Sequence, residues 1–475
     1  MITTAIFIIC TAFLILDIFS SFLTNKVGML IGTVLIPHSF LCLTSLFILL
    51  YDTGTALWQC IAVTVILSCA ALYWLIRINI KPYTKKLISG LRVRAIYGGK
   101  CLVKYMAFST VIQVIFYIFA FRYDFWNLSL WSIITDSVLT LVIMFCLGLN
   151  GLIRIIACCK RLVIVKRIIC FLLLPVPIVN IFVFCYLYKI AESEYDFEEN
   201  KEACNLQRAE SQLCSTKYPL LMVHGIGFKD FRYFNYWGRI PRELIRNGAT
   251  VYYGNQEACG TVINNAEEIK EKILEIMDKT GCEKVNIIAH SKGGLDSRYA
   301  ASKLGMDKYI ASITTIGTPH RGSYLSDEAE KHISDKFYRK VANFFDKRFK
   351  SIGDKNPDFY TACHQFASSY AIEFNKEVPD SPDVYYQSYS SVMKNMFSFD
   401  ILAISYLIIK KYGRNDGLVT VDSAKWGNFK GIFESKYTRG ISHGDTIDLK
   451  REDFKGFDPR EKYVQIVSEL KEMGF

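Results

Sequence analysis

The sequence predicts an all-helical membrane domain followed by an α/β domain with a mostly parallel sheet. Two observations favour this class. Residues 1–190 hold 16 of the 56 Lys and Arg residues but only 4 of the 45 Asp and Glu residues, and the long apolar runs lie in the same half. From Tyr218 onward, short apolar strands alternate with amphipathic helices, which is typical of a parallel sheet covered on both faces.

Six apolar runs in the first half are long enough to cross a bilayer core of about 30 Å, which takes roughly 17–25 residues. We expect crossings at residues 3–23, 28–50, 56–76, 105–121, 128–149 and 168–188. The first run lacks the basic start and small-residue cleavage site of a signal peptide. Asp17 and Asp136 lie inside runs, where an acid is a candidate functional residue. We expect each of them to lie near a helix end or to pair within the helix bundle.

The basic residues predict the orientation of this domain. They lie between the apolar runs and do not form a basic patch with interleaved aromatic residues. This distribution indicates a bilayer as the partner, and it argues against nucleic acid. Residues 77–104 carry eight Lys and Arg and no acid, and residues 154–167 carry five and no acid. Both loops should therefore be cytoplasmic. Six crossings would place the second half on the extracytoplasmic side of the cell membrane, after an acidic polar linker at 191–217.

The 15 cysteines do not form a recognisable disulfide or zinc framework. Five of them lie in the second half at irregular spacing, and an odd number cannot all pair within one chain. We expect free thiols there, with at most a bridge between Cys204 and Cys214.

A candidate nucleophile follows the third apolar strand of the second half. The strand at 285–289 runs into the sequence AHSKGG at 289–294, which has the A-x-S-x-G pattern of a nucleophile elbow. The turn from strand to helix is so tight that the residues two before and two after the serine must be small. It places Ser291 beside a helix N-terminus, where developing negative charge is stabilised.

A serine nucleophile needs a base and an acid to orient the base. After a strand-elbow-helix unit these follow in the order acid, then histidine. Asp416 lies in an Asn-Asp-Gly turn after the apolar run 401–409, and His443 is the one histidine downstream of it. Chain order alone therefore selects Asp416 as the acid and His443 as the base.

Two backbone N–H groups should stabilise the oxyanion of a tetrahedral intermediate. We expect one at Lys292, directly after the serine. The other should come from the glycine-containing loop after the first strand, at Ile226. His224, in the same loop, is expected to pack the loop without taking part in the chemistry.

These motifs resemble those of the bacterial triacylglycerol lipases of the true-lipase group. The resemblance is carried by VHG at 223–225, YW at 236–237, NGA at 247–249, AHSKGGL at 289–295, SRY at 297–299, TTIGTPHRGS at 314–323 and NDGLV at 415–419. It implies an α/β-hydrolase fold at 218–475, a cap or lid insertion at about 323–400 and a bacterial source. It also implies the same triad and oxyanion donors.

The sequence departs from that family in three respects. Lys292 stands where the family usually has Gln. Asp400 and Asp445 roughly match two carboxylates that hold a structural Ca²⁺ in many of these lipases, but the amide ligand expected beyond Asp445 is absent. The resemblance therefore implies no cofactor, with Asp400 and Asp445 as weak Ca²⁺ candidates. Those lipases also lack membrane crossings, so the first domain is assigned no role beyond anchoring.

The sequence as a whole predicts a membrane-anchored serine hydrolase that cleaves carboxylic esters, with acylglycerols or other lipids as substrates. An acyltransferase or a thioesterase could use the same triad. A transporter or sensor with a non-catalytic hydrolase-like domain is a third alternative, but the complete Ser291, Asp416 and His443 set argues against it. Aromatic residues at helical spacing within 333–349 further predict a helix with one aromatic face. That helix either packs on the core or forms a lid that covers the site.

Overall fold

The computed structural model describes residues 26–82, 90–122, 130–162, 164–228 and 235–475. The chain divides into two compact units, Met1–Cys204 and Asn205–Phe475. The first predicted crossing, with Asp17, lies outside the described residues. Residues 191–208 of the predicted linker are helical and continue the last helix of the first unit.

The described part of the first unit is entirely helical. Its α-helices are α1 Lys26–Leu35, α2 Ser39–Asp52, α3 Leu57–Ile80, α4 Leu91–Arg122, α5 Leu130–Cys158, α6 Ile164–Leu173 and α7 Val179–Arg208. Four stretches are long and apolar enough to cross a membrane: Lys26–Asp52, Leu57–Ile80, Leu91–Phe119 and Trp131–Cys158. They coincide with the second to fifth predicted crossings, so the count of six is not confirmed.

The sixth predicted crossing is a pair of helices instead of one continuous helix. Helices α6 and α7 are separated by a turn that contains Pro175 and Pro177. Proline lacks a backbone N–H and its ring clashes with the preceding helical turn, so the helix ends there. Each helix contributes only about ten apolar residues to the run, too few to cross a bilayer alone.

Helix α7 returns to the level at which α6 begins. The Glu194 carboxylate on α7 accepts hydrogen bonds from the backbone N–H groups of Lys160 and Arg161, at 3.2 and 3.0 Å. The same carboxylate pairs with Arg92 at the start of α4. Residues 164–188 therefore enter and leave the first unit at its basic end.

The intramembrane acid Asp136 pairs within the bundle, as its position in an apolar run predicted. Its carboxylate is fully buried and contacts His38 Nδ1 at 2.8 Å. Tyr117 donates its hydroxyl proton to the same carboxylate at 2.8 Å, and His38 Nε2 contacts the Gln113 side chain at 2.5 Å. These four side chains join α4 and α5 to the short 3-10 helix Ile36–His38 between α1 and α2.

The second unit contains a six-stranded parallel sheet. Its strands are β1 Leu220–Val223, β2 Val251–Tyr253, β3 Val285–His290, β4 Ile310–Ile316, β5 Tyr385–Ser391 and β6 Asn428–Phe433, in the order β2-β1-β3-β4-β5-β6. Every residue of β1, β3 and β4 is buried. This confirms the predicted α/β class with helices on both faces. The strand order reverses at β1, so a crevice forms at the carboxyl ends of β1 and β3.

The helices of the second unit cover this sheet and form the cap. They are α8 Ile240–Arg246, α9 Val262–Thr280, α10 Lys292–Lys303, α11 Tyr324–His332, α12 Asp335–Ser351, α13 Phe359–His364, α14 Ser368–Glu377, α15 Ala403–Ile409, α16 Val421–Ala424 and α17 Pro459–Glu472. The predicted cap at 323–400 extends too far, because β5 is a core strand. The helical insertion is α11 to α14.

A buried ion-pair cluster joins the start of α8 to the loop before α17, and it gives a testable stability prediction. Burial by itself would raise the pKa of Asp453, but the guanidinium groups of Arg239 and Arg460 hold it below its ordinary value of 3.8. A carboxyl with a lowered pKa stabilises the fold above pH 4, and this contribution is lost as the pH falls through the folded-state pKa.

Asp453→Asn is therefore expected to reduce the free energy of unfolding of the second unit at pH 7 by about 2 kcal/mol, and so to lower its melting temperature. The difference from the unsubstituted chain should shrink as the pH is lowered toward 3. Thermal scans of the detergent-solubilised chain would measure it, with the exposed Asp422→Asn as the control. An equal difference at both pH values would contradict this role of the ion pair.

Candidate active site

The candidate nucleophile occupies a strained turn between β3 and α10. Ser291 has φ 54° and ψ −128°, a region that residues other than glycine rarely adopt. Its backbone N–H donates to the carbonyl of Ile316 at 3.0 Å, and its carbonyl accepts from Thr318 Oγ1 at 2.8 Å. These contacts with β4 and the following loop hold the strained conformation in place.

Two glycines make this turn possible: Gly293, two residues after the serine, and Gly225, in the loop after β1. A Cβ atom at Gly293 would lie 2.5 Å from the carbonyl oxygen of His224, and one at Gly225 would lie 2.8 Å from Cβ of Ser291. Both distances are shorter than real contacts allow. The requirement for small residues, which the motif predicted, therefore follows from how closely β1, β3 and α10 approach at this point.

The structure brings together the acid and the base that chain order selected. His443 Nδ1 lies 2.8 Å from Asp416 Oδ2, and the His443 backbone N–H donates to the Asp416 carbonyl at 2.9 Å. The other carboxylate oxygen of Asp416 accepts from the backbone N–H groups of Leu418 and Val419. Asp416 is fully buried, while 6% of His443 and 8% of Ser291 remain exposed.

His290, directly before the serine, packs against His443. The sequence analysis assigned no role to this residue. Its ring centroid lies 4.4 Å from that of His443. Its Nδ1 lies 2.7 Å from the Tyr236 hydroxyl and its Nε2 lies 3.0 Å from Thr446 Oγ1. Thr446 in turn donates to the His443 carbonyl at 2.7 Å. One tautomer satisfies this chain, with Tyr236 donating to Nδ1 and Nε2–H donating to Thr446.

Burial keeps His290 neutral at ordinary pH. Complete desolvation, with a smaller effect from the charge of His443, lowers the pKa of His290 well below 6.5. A neutral ring can donate at one nitrogen and accept at the other, as this chain of hydrogen bonds requires. The YW motif at 236–237 could have indicated a partner for His290, because Tyr236 supplies that partner.

The predicted oxyanion donors lie on either side of the serine turn. Within the described residues, neither the Ile226 N–H nor the Lys292 N–H donates a hydrogen bond. The Ile226 loop is held in place because Gly227 N–H donates to the Ala258 carbonyl at 2.8 Å and Gln256 Nε2 donates to the His224 carbonyl at 2.7 Å. The two ring nitrogens of His224 contact the backbone carbonyls of Gly225 and Gln256 at 2.7 and 2.9 Å, which fits the expected packing role.

The Lys292 side chain is directed into the domain. Its ammonium group lies 2.6 Å from Asp296, and both side chains are buried. Burial lowers the pKa of Lys292, which Asp296 partly restores, and burial raises the pKa of Asp296 to about 6. Lys292, which stands where the family usually has Gln, therefore forms an ion pair within α10. This contact involves only its side chain, so its backbone N–H stays available as the expected oxyanion donor.

The cap is tied to the segment that carries the oxyanion loop. Asp354, after α12, accepts from the backbone N–H groups of Ala258 and Cys259 at 3.2 and 3.0 Å. In return, Glu257 accepts from the backbone N–H groups of Lys355 and Asn356 at 2.6 and 2.8 Å. These reciprocal bonds fix the cap next to the loop that holds Ile226.

The predicted helix with aromatic residues is α12, and its aromatic side chains are divided between the core and the surface. Phe345 and Phe349 pack with Cys259 and Ile226, whereas Phe337 and Phe344 are exposed. Half of the aromatic set is therefore used to hold the cap against the core.

The Ca²⁺ candidates do not fit a cation site. Asp400 pairs with Lys450, and Asp445 accepts from Arg439 at 2.8 Å and from the Ser442 hydroxyl at 2.7 Å. Both carboxylates are thus already paired with cations of the chain itself. In the part of the chain that the structure describes, no cluster of three His, Cys, Asp or Glu side chains could hold a metal ion.

The cysteines of the described residues, 14 in number, all carry free thiols. Cys204 is exposed and Cys214 is buried, so the bridge considered between them is not formed.

Comparison with known proteins agrees with this geometry. A family model described as alpha/beta hydrolase fold matches residues 218–414. Triacylglycerol lipase 2 of Saccharomyces cerevisiae is 28% identical over 261 residues, covering 50% of this chain and 74% of that protein. A triacylglycerol lipase of Pseudarthrobacter phenanthrenivorans is 30% identical over 179 residues, covering 35% of this chain and 56% of that protein. This chain thus spans about half the length of that bacterial relative.

Among solved structures, the Staphylococcus hyicus lipase aligns with a TM-score of 0.42 and 18% identity, over 54% of this chain and 97% of that chain. The parallel sheet, the serine elbow and the family match at residues 218–414 define the second unit as an α/β-hydrolase. It is a hydrolase of the lipase and esterase type. Because the relatives include a yeast enzyme, the bacterial source that the resemblance implied is not confirmed.

Proposed function

We propose that this protein is a membrane-anchored serine hydrolase that cleaves lipid esters with Ser291, His443 and Asp416. The observation that carries the proposal is the contact of 2.8 Å between His443 Nδ1 and the buried Asp416 carboxylate, beside a serine in a strained elbow. Such a pair serves to orient and activate a serine. The lipase relatives support an acylglycerol or a similar lipid as the substrate.

In this mechanism Asp416 accepts a hydrogen bond from Nδ1–H of His443, which leaves Nε2 unprotonated and able to accept the proton of Ser291 Oγ. Oγ then attacks the ester carbonyl carbon. The N–H groups of Ile226 and Lys292 stabilise the oxyanion. His443 protonates the leaving alcohol, and an acyl-enzyme remains. Water, deprotonated by His443, hydrolyses it and regenerates the serine.

The side of the membrane on which this chemistry takes place follows from the return of α7. Glu194 contacts the backbone of Lys160 and Arg161, which belong to one of the two basic loops. Basic loops are cytoplasmic by the positive-inside rule. We therefore infer that the catalytic unit faces the cytoplasm. This proposal differs from the extracytoplasmic side that the sequence predicted, because that side depended on a sixth crossing. Free thiols in the catalytic unit agree with a reducing compartment.

Labelling with a biotinylated fluorophosphonate that does not cross membranes tests both the nucleophile and the side. Inverted membrane vesicles that contain the full chain should be labelled, because their cytoplasmic face is outward. Right-side-out vesicles should be labelled only after detergent is added. Ser291→Ala should remove the signal from both preparations. Labelling of intact right-side-out vesicles would place the catalytic unit outside, and labelling of the Ser291→Ala variant would contradict the nucleophile.

A further inference from the structure

The most exposed large apolar side chains of the second unit lie close together in the chain. Among its described residues, Phe397, Ile401 and Ile404 rank first, with 84%, 72% and 75% of each residue exposed. Leu407 and Ile408 follow on the same helical segment and are also exposed. We call these five side chains the 397–408 surface. A cluster of exposed apolar side chains of this kind marks an interaction site in soluble domains.

The inward face of this segment is already packed. Phe399 and Tyr406 are buried in one cluster with Met393, and Leu402 packs against it. Ile409 is fully buried. The inner face of the segment is already buried by these contacts. A rotation of the segment that buried the 397–408 surface would therefore expose a similar area of apolar side chains from the inner face. A helix that is apolar on all sides is typical of a protein interior or of a membrane.

Lysines border the 397–408 surface at both ends. Lys394 precedes it, Lys410 and Lys411 follow it, and all three are exposed. Asp400 is the one acid within 394–411, and it is paired with Lys450. Lys411 pairs with Glu328 of α11 at 3.1 Å, so the headgroup contacts are assigned to Lys394 and Lys410. Exposed apolar side chains with a basic border are the pattern that binds an anionic membrane surface, because the apolar groups enter the interface while the cations contact headgroups.

We propose that the 397–408 surface docks the catalytic unit on a bilayer that contains anionic lipids. This inference rests on the proposed membrane anchoring, since four candidate crossings in the same chain keep a bilayer within reach. The cytoplasmic leaflet, which the inferred topology places next to this unit, carries the anionic lipids. Leu402 of the same segment packs against Gly417, the residue after the candidate acid Asp416. Docking therefore brings the triad to the surface in which lipid esters reside.

Quenching by lipids with brominated acyl chains tests the contact directly. An environment-sensitive fluorescent amino acid is placed at position 404 of the full chain, reconstituted in nanodiscs of phosphatidylcholine and phosphatidylglycerol. Position 372 is the matched control, because Ile372 is also an exposed isoleucine of the second unit, at 57%. We expect quenching at position 404 to exceed that at position 372 several-fold, and to weaken when phosphatidylglycerol is omitted.

Equal quenching at the two positions would overturn the proposal. So would a probe at 404 that is shielded from aqueous iodide but not quenched by brominated lipid, since that result indicates a protein partner or a second copy.

A second measurement uses Ile401→Asp with Ile404→Asp. This variant should hydrolyse a long-chain ester in nanodiscs about tenfold more slowly and a short soluble ester at an unchanged rate. Ile372→Asp should change neither rate. The quenching result does not depend on the triad, so an error in the catalytic assignment would leave it unaffected.

Discussion

Replacing Ser291 with alanine is expected to lower the rate of hydrolysis of a short p-nitrophenyl ester by at least about 10⁴-fold. The reason is that the acyl-enzyme route needs Oγ, and removal of a triad member leaves only the contribution of substrate binding and the oxyanion donors. The melting temperature should change little, because alanine keeps the turn and no hydrogen bond from Oγ to a described residue is lost.

Ser297→Ala is the matched control for this substitution. Ser297 lies on the same helix, is also buried, and uses its hydroxyl to contact the Gly293 carbonyl at 2.7 Å. Its loss should change the rate by less than about tenfold. If Ser291→Ala retained a tenth of the activity, the nucleophile would have to be another residue. His443→Ala should be as severe as Ser291→Ala, since the serine would then lack its base.

The second large effect is expected from Asp416→Asn, which should lower kcat by about 10³- to 10⁴-fold with little change in KM. The asparagine oxygen can still accept from the backbone N–H groups of Leu418 and Val419, so the turn should persist. Its NH₂ group, however, would then face His443 Nδ1, which must become the unprotonated nitrogen. The proton would lie on Nε2, the atom that has to accept the proton of Ser291.

Steady-state kinetics on the same soluble ester would measure this effect, with the exposed Asp422→Asn as the control. A loss of tenfold or less for Asp416→Asn would show that another acid orients His443. A large loss accompanied by a much lower melting temperature would instead assign Asp416 to the stability of its turn. Thermal scans of both variants separate these outcomes.

Much of the catalytic unit was predictable because its signals are local. The elbow around Ser291 requires small residues at fixed positions. The buried strands β3 and β4 are short apolar runs that the local sequence is enough to identify. Chain order was enough to select His443 as the base, since it is the one histidine downstream of Asp416. The elbow and the strands reflect backbone geometry over fewer than about ten residues, whereas chain order relies on the fixed sequence of the triad members in this fold.

Strand β5 was missed for the opposite reason. Its residues, Tyr385–Ser391, are mostly hydroxyl-bearing, so the apolar pattern of a core strand is absent. The structure satisfies these polar groups inside the sheet: Gln387 donates to Thr314 at 2.8 Å and Ser388 donates to the Trp426 carbonyl. These partners lie in β4 and in the loop before β6, both distant in sequence from β5, so no local pattern reveals them.

The sequence by itself determined the parallel α/β class, the apolar helices of the first unit and the residues of the candidate triad. The tertiary structure decided the support of His443 by His290 and the pairing of Asp400 with Lys450 and of Asp445 with Arg439. It also decided the return of α7 to the basic end of the first unit. Hydropathy measures only how apolar a segment is. Whether the segment crosses or returns depends on which residues its ends contact, as Glu194 contacts Lys160 and Arg161.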